Sequence, residues 1–257
     1  NWIQIGADID GETMSDKFGK SVDLNSAGDR VVVGAWFAAS ASLPIGSGQI
    51  SCYELSNGTW NQMGNYINGE ASLDYFGIST AINASGSIIA GGAYHNDGLN
   101  GYNSGHVRVY EYVGGVWTQL GNDIDGEAPS DRCGWSVSLN SSGHRVAVGS
   151  PQNDGNGSNS GSARVYDWNG SSWSQVGSDI DGEAVGDHSG NSVSLNSLGN
   201  ILAIGAIYNQ DNGSNSGHVR VYELTGNSWV QIGGDIDGEA AIDESARSIS
   251  LDSTGYK

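Results

Sequence analysis

Acidic side chains recur in one pattern along the chain. The pattern is Asp-Ile-Asp-Gly-Glu with a further Asp four residues after the Glu, so that carboxylates alternate with other residues around a glycine turn. Calcium prefers oxygen ligands and takes about six to eight of them, some of which backbone carbonyls can supply. The pattern therefore predicts calcium binding in these connections. The candidate ligands are Asp8, Asp10, Glu12, Asp16, Asp123, Asp125, Glu127, Asp131, Asp179, Asp181, Glu183, Asp187, Asp235, Asp237, Glu239 and Asp243.

A second interpretation of the same residues needs no metal. In it, Asp-Gly forms the turn and the acids pair with arginines that recur once per repeat, at Arg108, Arg164 and Arg220. A bidentate pair between an arginine and a carboxylate is a strong contact. Both interpretations stay open from the sequence, and they can hold together.

The charge excludes several classes of function. The 257 residues include 29 Asp and Glu but only 10 Lys and Arg, which gives a formal net charge of −19. Nucleic acids and anionic lipid surfaces both require a basic face, so neither is expected as a partner. We also expect no membrane insertion, because the chain lacks a run of about 18 apolar residues.

The acids are concentrated in five copies of the connection. One copy departs from the pattern, because Tyr66 and Asn68 replace two of the Asp while Glu70 and Asp74 remain. Together the five copies hold 18 of the 29 acids. The charge is therefore localised and is not a diffuse coat.

An internal repeat organises the whole chain. The sequence Trp-x-Gln-x-Gly begins at Trp2, Trp60, Trp117, Trp173 and Trp229, with spacings of 56 to 58 residues. Alternating apolar patterns predict four strands per repeat, which we call A to D. In the third repeat these are 135–139, 145–149, 163–166 and 173–177, with short Asn, Ser and Gly turns between A and B and between C and D.

Tandem units of four antiparallel strands predict an all-β protein with the architecture of a β-propeller. One small sheet has two faces to cover, and stacking the sheets around an axis buries both. A β-solenoid is the alternative, although solenoid coils are usually much shorter. We expect a single domain in which four complete blades span residues 18–64, 76–121, 134–177 and 190–233, with a strand D at 2–6 and a strand A at 246–252 as partial units.

The residues at the start of strand A and the end of strand B resemble a known repeat. Phe18-Gly19 and Phe76-Gly77 open strand A, and Gly34-Ala35 and Gly92-Ala93 close strand B. This resembles the FG-GAP repeat, the blade unit of the integrin alpha-chain propeller and of many extracellular proteins. The resemblance implies a propeller and an extracellular or cell-surface location.

One feature of that family does not carry over. Integrin-type repeats often hold calcium in an acidic loop between strands A and B. Here that connection is a tight turn at residues 25–28, 83–86, 140–143 and 196–199, without an acid cluster.

The length of the chain bears on the number of blades. A seven-bladed ring would need far more residues, so we expect a fragment of a larger ring; closure by five blades is the alternative.

The up-and-down strand order places the D–A and B–C connections at one end of the propeller. The B–C loops add Asp97, Asp154 and Asp211, so at least 21 acids should share that end. We call it the acidic end.

Several aromatic residues lie in or beside the B–C loops. They suggest either sugar binding or simple cover for the loop backbone. These residues are Trp36, Tyr94, Tyr102 and Tyr208.

Catalytic motifs are absent from the sequence. The five histidines and two cysteines show no metal-binding spacing, and no nucleophile elbow or phosphate loop occurs. Acid pairs that recur in nearly every repeat favour structure or multivalent binding over catalysis. We therefore predict no enzyme activity.

The predicted function is adhesion, binding or assembly through the acidic end, with calcium as cofactor. A protein or a glycan is the expected ligand, and self-association is compatible with this function. A purely architectural module of an extracellular filament or matrix is the alternative, and a lectin or a polysaccharide-active enzyme is a weaker one. Glycosylation is conceivable at six Asn-x-Ser/Thr sites, which are Asn57, Asn83, Asn140, Asn156, Asn169 and Asn212.

Overall fold

The computed structural model describes residues 2–39 and 45–257. Every regular element in this part of the chain is a β-strand, and the strands form four antiparallel sheets of five. We call the sheets blades 1 to 4 and the strands of each blade A to E in chain order. The strands are β1 (Phe18–Leu24), β2 (Arg30–Ala35), β3 (Gln49–Ser56), β4 (Thr59–Gln62), β5 (Ile67–Asn68), β6 (Ser79–Ile82), β7 (Ile88–Ala93), β8 (His106–Val113), β9 (Val116–Gln119), β10 (Ile124–Asp125), β11 (Ser136–Leu139), β12 (Arg145–Ser150), β13 (Ser162–Trp168), β14 (Trp173–Gln175), β15 (Ile180–Asp181), β16 (Ser189–Leu195), β17 (Ile201–Ala206), β18 (His218–Thr225), β19 (Ser228–Gln231) and β20 (Ile236–Asp237).

The four predicted strands of each repeat are confirmed, and a fifth was missed. Strand E is two residues long and pairs with the first residues of strand C, whereas strand D pairs with the other end of the same strand. In blade 3, Ile180 and Asp181 of the acidic connection form this strand. The connection is therefore partly sheet, and the isoleucine between two acids is buried at Ile124 and Ile180.

The apolar core lies between blades. One cluster joins Val107 and Val109 of blade 2 to Val137, Val146 and Val148 of blade 3, and similar clusters join the other neighbouring blades. Burial of both faces of each sheet supplies the main driving force for the stack.

Five segments of strand-A sequence surround a common axis. A small central cavity of about 180 Å³ is lined by equivalent residues from each of them: Leu24, Ile82, Leu139, Leu195 and Leu251. Because the same register position faces one cavity from every repeat, the sheets are arranged radially. The predicted propeller architecture is confirmed.

A close backbone approach joins each blade to the next. The carbonyl oxygen of Gly190, at the start of blade 4, lies where a side chain on Gly149 of blade 3 would stand, 2.0 Å from an ideal Cβ. Ser136 of blade 3 donates a hydrogen bond to the same oxygen at 2.8 Å. The equivalent serines are Ser21, Ser79 and Ser192. The glycine that stands one residue before the end of strand B is thus required by packing.

The repeated tryptophans add a second link between blades. The indole N–H of Trp117 donates to the carbonyl of Met63 in the preceding repeat at 2.8 Å, and Trp173 and Trp229 make the equivalent bonds. Trp60 donates in the same way to Ile5 at 3.1 Å. These four indoles therefore connect neighbouring repeats, whereas Trp2 is fully exposed.

The terminal strands predicted at 2–6 and 246–252 are wrong as strands. Both segments occupy the expected places, since Ile5 accepts a bond from Trp60 and the carbonyl of Ala246 accepts one from Ser192. Within the described residues, however, neither has a neighbouring strand with which to form a ladder. Strand conformation depends on that pairing.

Asparagines of the glycosylation pattern have structural roles. Asn83 is buried in an A–B turn and donates to Ser142 of the next blade at 3.1 Å. Asn156 and Asn212 donate to the carbonyls of Gly182 and Gly238. A glycan on any of these amides would disrupt contacts between repeats.

In the described ranges, no helix has the length and apolarity needed to cross a membrane.

Candidate functional site

The D–A and B–C connections share one end of the molecule. Strand E pairs with the first residues of strand C, where the B–C loop ends. A cleft of about 980 Å³ at this end is lined by both kinds of connection, from residues 70–74, 95–99, 102–103, 119, 121–123 and 125. The structure therefore brings the recurring acids together at one end, as the strand order required.

The first acid of each full connection is held by the glutamine of the tryptophan motif. Gln119 donates to Asp123 at 2.6 Å, and Gln175 donates to Asp179 at the same distance. The equivalent pairs are Gln4 with Asp8 and Gln231 with Asp235. Each bond occupies one carboxylate oxygen and fixes the orientation of the other.

The fourth acid of each connection is a loop cap. Asp131 is 2% exposed, and its Oδ2 accepts bonds from the amide of Ala128 and the side chain of Asn153, both at 3.0 Å. Asp74 and Asp187 are buried with equivalent partners. Asp16 and Asp243 accept the corresponding backbone bonds from Thr13 and Ala240. The structure gives these acids a packing role.

The third acid faces an arginine of the following blade. Nη1 of Arg220 lies 3.3 Å from Oε1 of Glu183, and Nη2 donates to the carbonyl of Asp181 at 2.9 Å. Arg164 contacts Glu127 at 3.5 Å and the carbonyl of Asp125 at 3.0 Å. Arg108 does the same with Glu70 and Asn68. The acids thus pair with the recurring arginines, as the second interpretation expected. Each arginine contacts one carboxylate oxygen and one backbone carbonyl, and not both oxygens of a single carboxylate.

The second acid lies in strand E and is only partly solvated. Burial raises the pKa of Asp125, and the neighbouring Asp123 raises it further. The pKa of Asp181 is raised by burial and by Asp179, and its buried Oδ1 has no hydrogen-bond partner. By contrast, the second acids Asp10 and Asp237 are exposed, as are all the third-position acids, including Glu12 and Glu239.

The acids of one connection therefore do not surround one point. What the structure brings together are groups from different connections, each with a histidine at the start of strand C. Glu70, His106 and Asp123 form one such group, with one ligand atom each within 4.8 Å of the others. The second group is Glu183, Asp211, His218 and Asp235. Either group could hold a metal ion; calcium in a D–A connection stays a prediction.

His106 and His218 occupy equivalent positions, at the start of strand C, and the sequence pattern did not identify either as a site residue. Burial lowers the pKa of His106 to about 3, and Arg108 acts in the same direction. His106 is therefore neutral, and its contact with Asp123 at 3.3 Å is not an ion pair. Ligands from three separate segments leave no short spacing motif that would reveal such a group.

Aromatic residues near the B–C loops mostly cover one another. Trp36 and Tyr94 pack against Tyr75 at ring-centroid distances of 4.8 and 5.6 Å. Tyr208 contacts the ring of His188. Tyr102 is the exposed member of the set. Packing against other rings accounts for Trp36, Tyr94 and Tyr208 without a sugar.

A family model described as FG-GAP repeat matches residues 124–166 and 178–222, about a third of the chain. The chain is therefore similar to the FG-GAP repeat over these two segments. Each matched segment begins in or beside strand E and ends at the tyrosine of strand C, so it spans the acidic connection and the glycine contact between blades. No curated protein is similar enough to count as a match.

Several solved structures are similar to this chain in fold. A candidate 6-phosphogluconolactonase from Bacteroides uniformis has a TM-score of 0.58 at 10% identity, over 92% of this chain and 76% of that one. The periplasmic gluconolactonase of Pseudomonas aeruginosa has a TM-score of 0.57 at 12% identity, over 84% and 56%. Hydrazine synthase of Kuenenia stuttgartiensis has a TM-score of 0.52 at 10% identity, over 92% and 53%. The chain spans about half the length of the latter two.

The arginine contact between blades can be tested with Arg164→Lys. The single amine cannot reach both the carbonyl of Asp125 and Glu127, so we expect the free energy of unfolding to fall by about 2 kcal/mol. Chemical denaturation measures the change. Arg247→Lys is the control, because Arg247 is exposed and pairs only with Glu244 three residues away. Equal denaturation midpoints for the two variants would show that the contact contributes nothing.

Proposed function

We propose that this FG-GAP propeller is a non-enzymatic extracellular binding module, acting in adhesion or assembly through its acidic end. The observation that supports it is the emergence of all the acidic connections on that end, in every blade. A recurring set of similar surface groups fits a ligand that is contacted at several points. A catalytic pair would be needed only once.

The charge of this end indicates the kind of partner. A net charge of −19 with most of the acids on one end produces a strong negative potential there. Such a surface attracts basic side chains of a protein partner, or binds an uncharged glycan or a second acidic surface when cations lie between them. Calcium is the cation that this proposal assigns.

Our proposal assigns calcium to blade 3. Burial raises the pKa of Glu127, and Arg164 opposes this shift. Asp179 raises the pKa of Glu127 further through direct contact, so these two carboxylates lie close together. Asp179 also raises the pKa of Asp181, whose buried Oδ1 has no hydrogen-bond partner. Ser162 stands at the start of strand C, where blades 2 and 4 have histidine, so every ligand available here is an oxygen. An oxygen-only set suits a hard cation.

Calcium binding is tested by titrating chelator-treated protein while measuring heat and the melting temperature. We expect saturable binding that raises the melting temperature, because an ion bound only by the folded state stabilises it. Asp179→Asn should weaken calcium binding about tenfold or more, since it removes a charged ligand. Asp29→Asn, in an A–B turn at the opposite end, is the matched control. An unchanged melting curve in calcium, or equal calcium responses of the two variants, contradicts the proposal.

An enzyme is the second candidate, favoured by the likeness to two lactonase propellers. That likeness is at 10 and 12% identity and concerns the fold. The cleft beside Glu70, His95 and Asp123 is the place where a substrate could bind. We expect gluconolactone to hydrolyse at the same rate with the purified protein as without it, at the same pH. A rate enhancement that His95→Ala abolishes would favour the lactonase instead.

A further inference from the structure

A buried histidine of blade 4 faces carboxylates without a hydrogen bond. The side chain of His218 is 1% exposed, and its Nδ1 has no partner in the structure. This atom lies 3.7 Å from Oδ2 of Asp235 and 3.9 Å from Oδ2 of Asp211. A buried imidazole nitrogen without a partner is costly, which calls for a group between it and the acids.

The ligand atoms around this histidine are mutually close. One atom each from His218, Asp235, Asp211 and Glu183 lies within 4.8 Å of the other three. The four residues come from strand C, from the connections before and after blade 4, and from the B–C loop. An ion at their centre would therefore join the connection that leaves blade 3 to the body of blade 4.

Asp211 distinguishes blade 4 from its neighbours. Its amide donates to the side chain of Asn209, as the amide of Gly155 does to Asn153 in blade 3, so the two positions are equivalent. A Cβ on Gly155 would lie 2.7 Å from Oδ1 of Asp181. Blade 4 therefore carries a carboxylate where blade 3 carries glycine, and that carboxylate lies near the histidine.

The charges around the group leave room for one divalent cation. Three carboxylates face a single guanidinium, that of Arg220, which is 3.3 Å from Oε1 of Glu183. Like charges held this close disfavour ionisation unless a cation compensates them. A divalent ion with a neutral imidazole would balance the remaining two charges.

The donor set selects the class of ion. An imidazole nitrogen with carboxylate oxygens suits zinc and the related divalent transition metals, whereas calcium takes oxygen ligands only. Gln231 donates to Oδ1 of Asp235 at 2.5 Å and leaves Oδ2 free. Such an outer contact fixes the orientation of a metal-binding carboxylate.

We propose that His218, Asp235, Asp211 and Glu183 bind one divalent transition-metal ion of the zinc class. The ion fastens the connection between blades 3 and 4. This inference goes beyond the proposed function, because it concerns a different ion in a different blade from the calcium site. Blade 2 has His106, Glu70 and Asp123 but has Gly98 at the position of Asp211, and blade 3 has no histidine there.

Zinc chloride titrated calorimetrically into chelator-treated protein, in an excess of calcium, tests the assignment. We expect saturable binding whose tightest event is weakened about tenfold or more in both His218→Gln and Asp211→Gly. Asp211→Gly installs the residue that blades 2 and 3 carry naturally, so it decides the question if His218→Gln fails to fold. Zinc should also raise the melting temperature of the unsubstituted protein by more than that of Asp211→Gly at the same zinc concentration.

The calcium-site variant Asp179→Asn and the loop variant Asp154→Asn are the controls, and both should keep the tight zinc event. The proposal is overturned if zinc does not bind saturably, or if Asp211→Gly binds it as tightly as the unsubstituted protein. Equal weakening by Asp179→Asn would also overturn it, since that would show general attraction to the acidic end. Loss of calcium binding with zinc binding intact would count against the proposed function alone.

Discussion

The rest of the structure depends on one contact between neighbouring blades, in which a backbone carbonyl oxygen of one blade packs against a glycine of the preceding blade. At the boundary between blades 3 and 4, the oxygen of Gly190 occupies the volume of a side chain that Gly149 lacks, and Ser136 donates to it. The same arrangement recurs at every boundary, with Gly77, Gly134 and Ala246 supplying the oxygen. It sets the distance between sheets, and therefore the packing of the apolar core between them.

The acidic end is a consequence of this spacing. Once the sheets are held at this distance, each strand-C arginine reaches the connection that leaves the preceding blade, as Arg220 reaches Glu183 and the carbonyl of Asp181. Some acids then serve the fold, as the buried Asp131 and Asp187 do. Others remain free to bind cations or partners. One repeated sequence thus supplies carboxylates that are buried in the fold and carboxylates that stay exposed at the acidic end, and their neighbours decide which position each has.

Much of the fold was predictable because it is periodic. The tryptophan spacing and the alternating apolar patterns define the four strands, and the closing glycine and the recurring arginine mark the contacts between blades. Strand E was missed because two residues are too short for a periodic signal; only the buried isoleucine at Ile124 and Ile180 marks it. The prediction of strands at 2–6 and 246–252 was wrong because a strand needs a neighbouring strand to pair with as well as an alternating apolar pattern. The histidine groups were missed because their members, such as Asp211 and His218, meet only when three segments fold together.

The most direct test of the central contact is the free energy of unfolding of Gly149→Ala, compared with that of Gly234→Ala. Neither glycine has a positive φ, but a Cβ on Gly149 meets the oxygen of Gly190 at 2.0 Å while one on Gly234 meets no atom within 4 Å. We predict a loss of about 3 kcal/mol or more for Gly149→Ala, because the blades must separate to admit a methyl group. Gly234→Ala should change stability by no more than about 0.5 kcal/mol. Equal stabilities of the two variants would contradict the account.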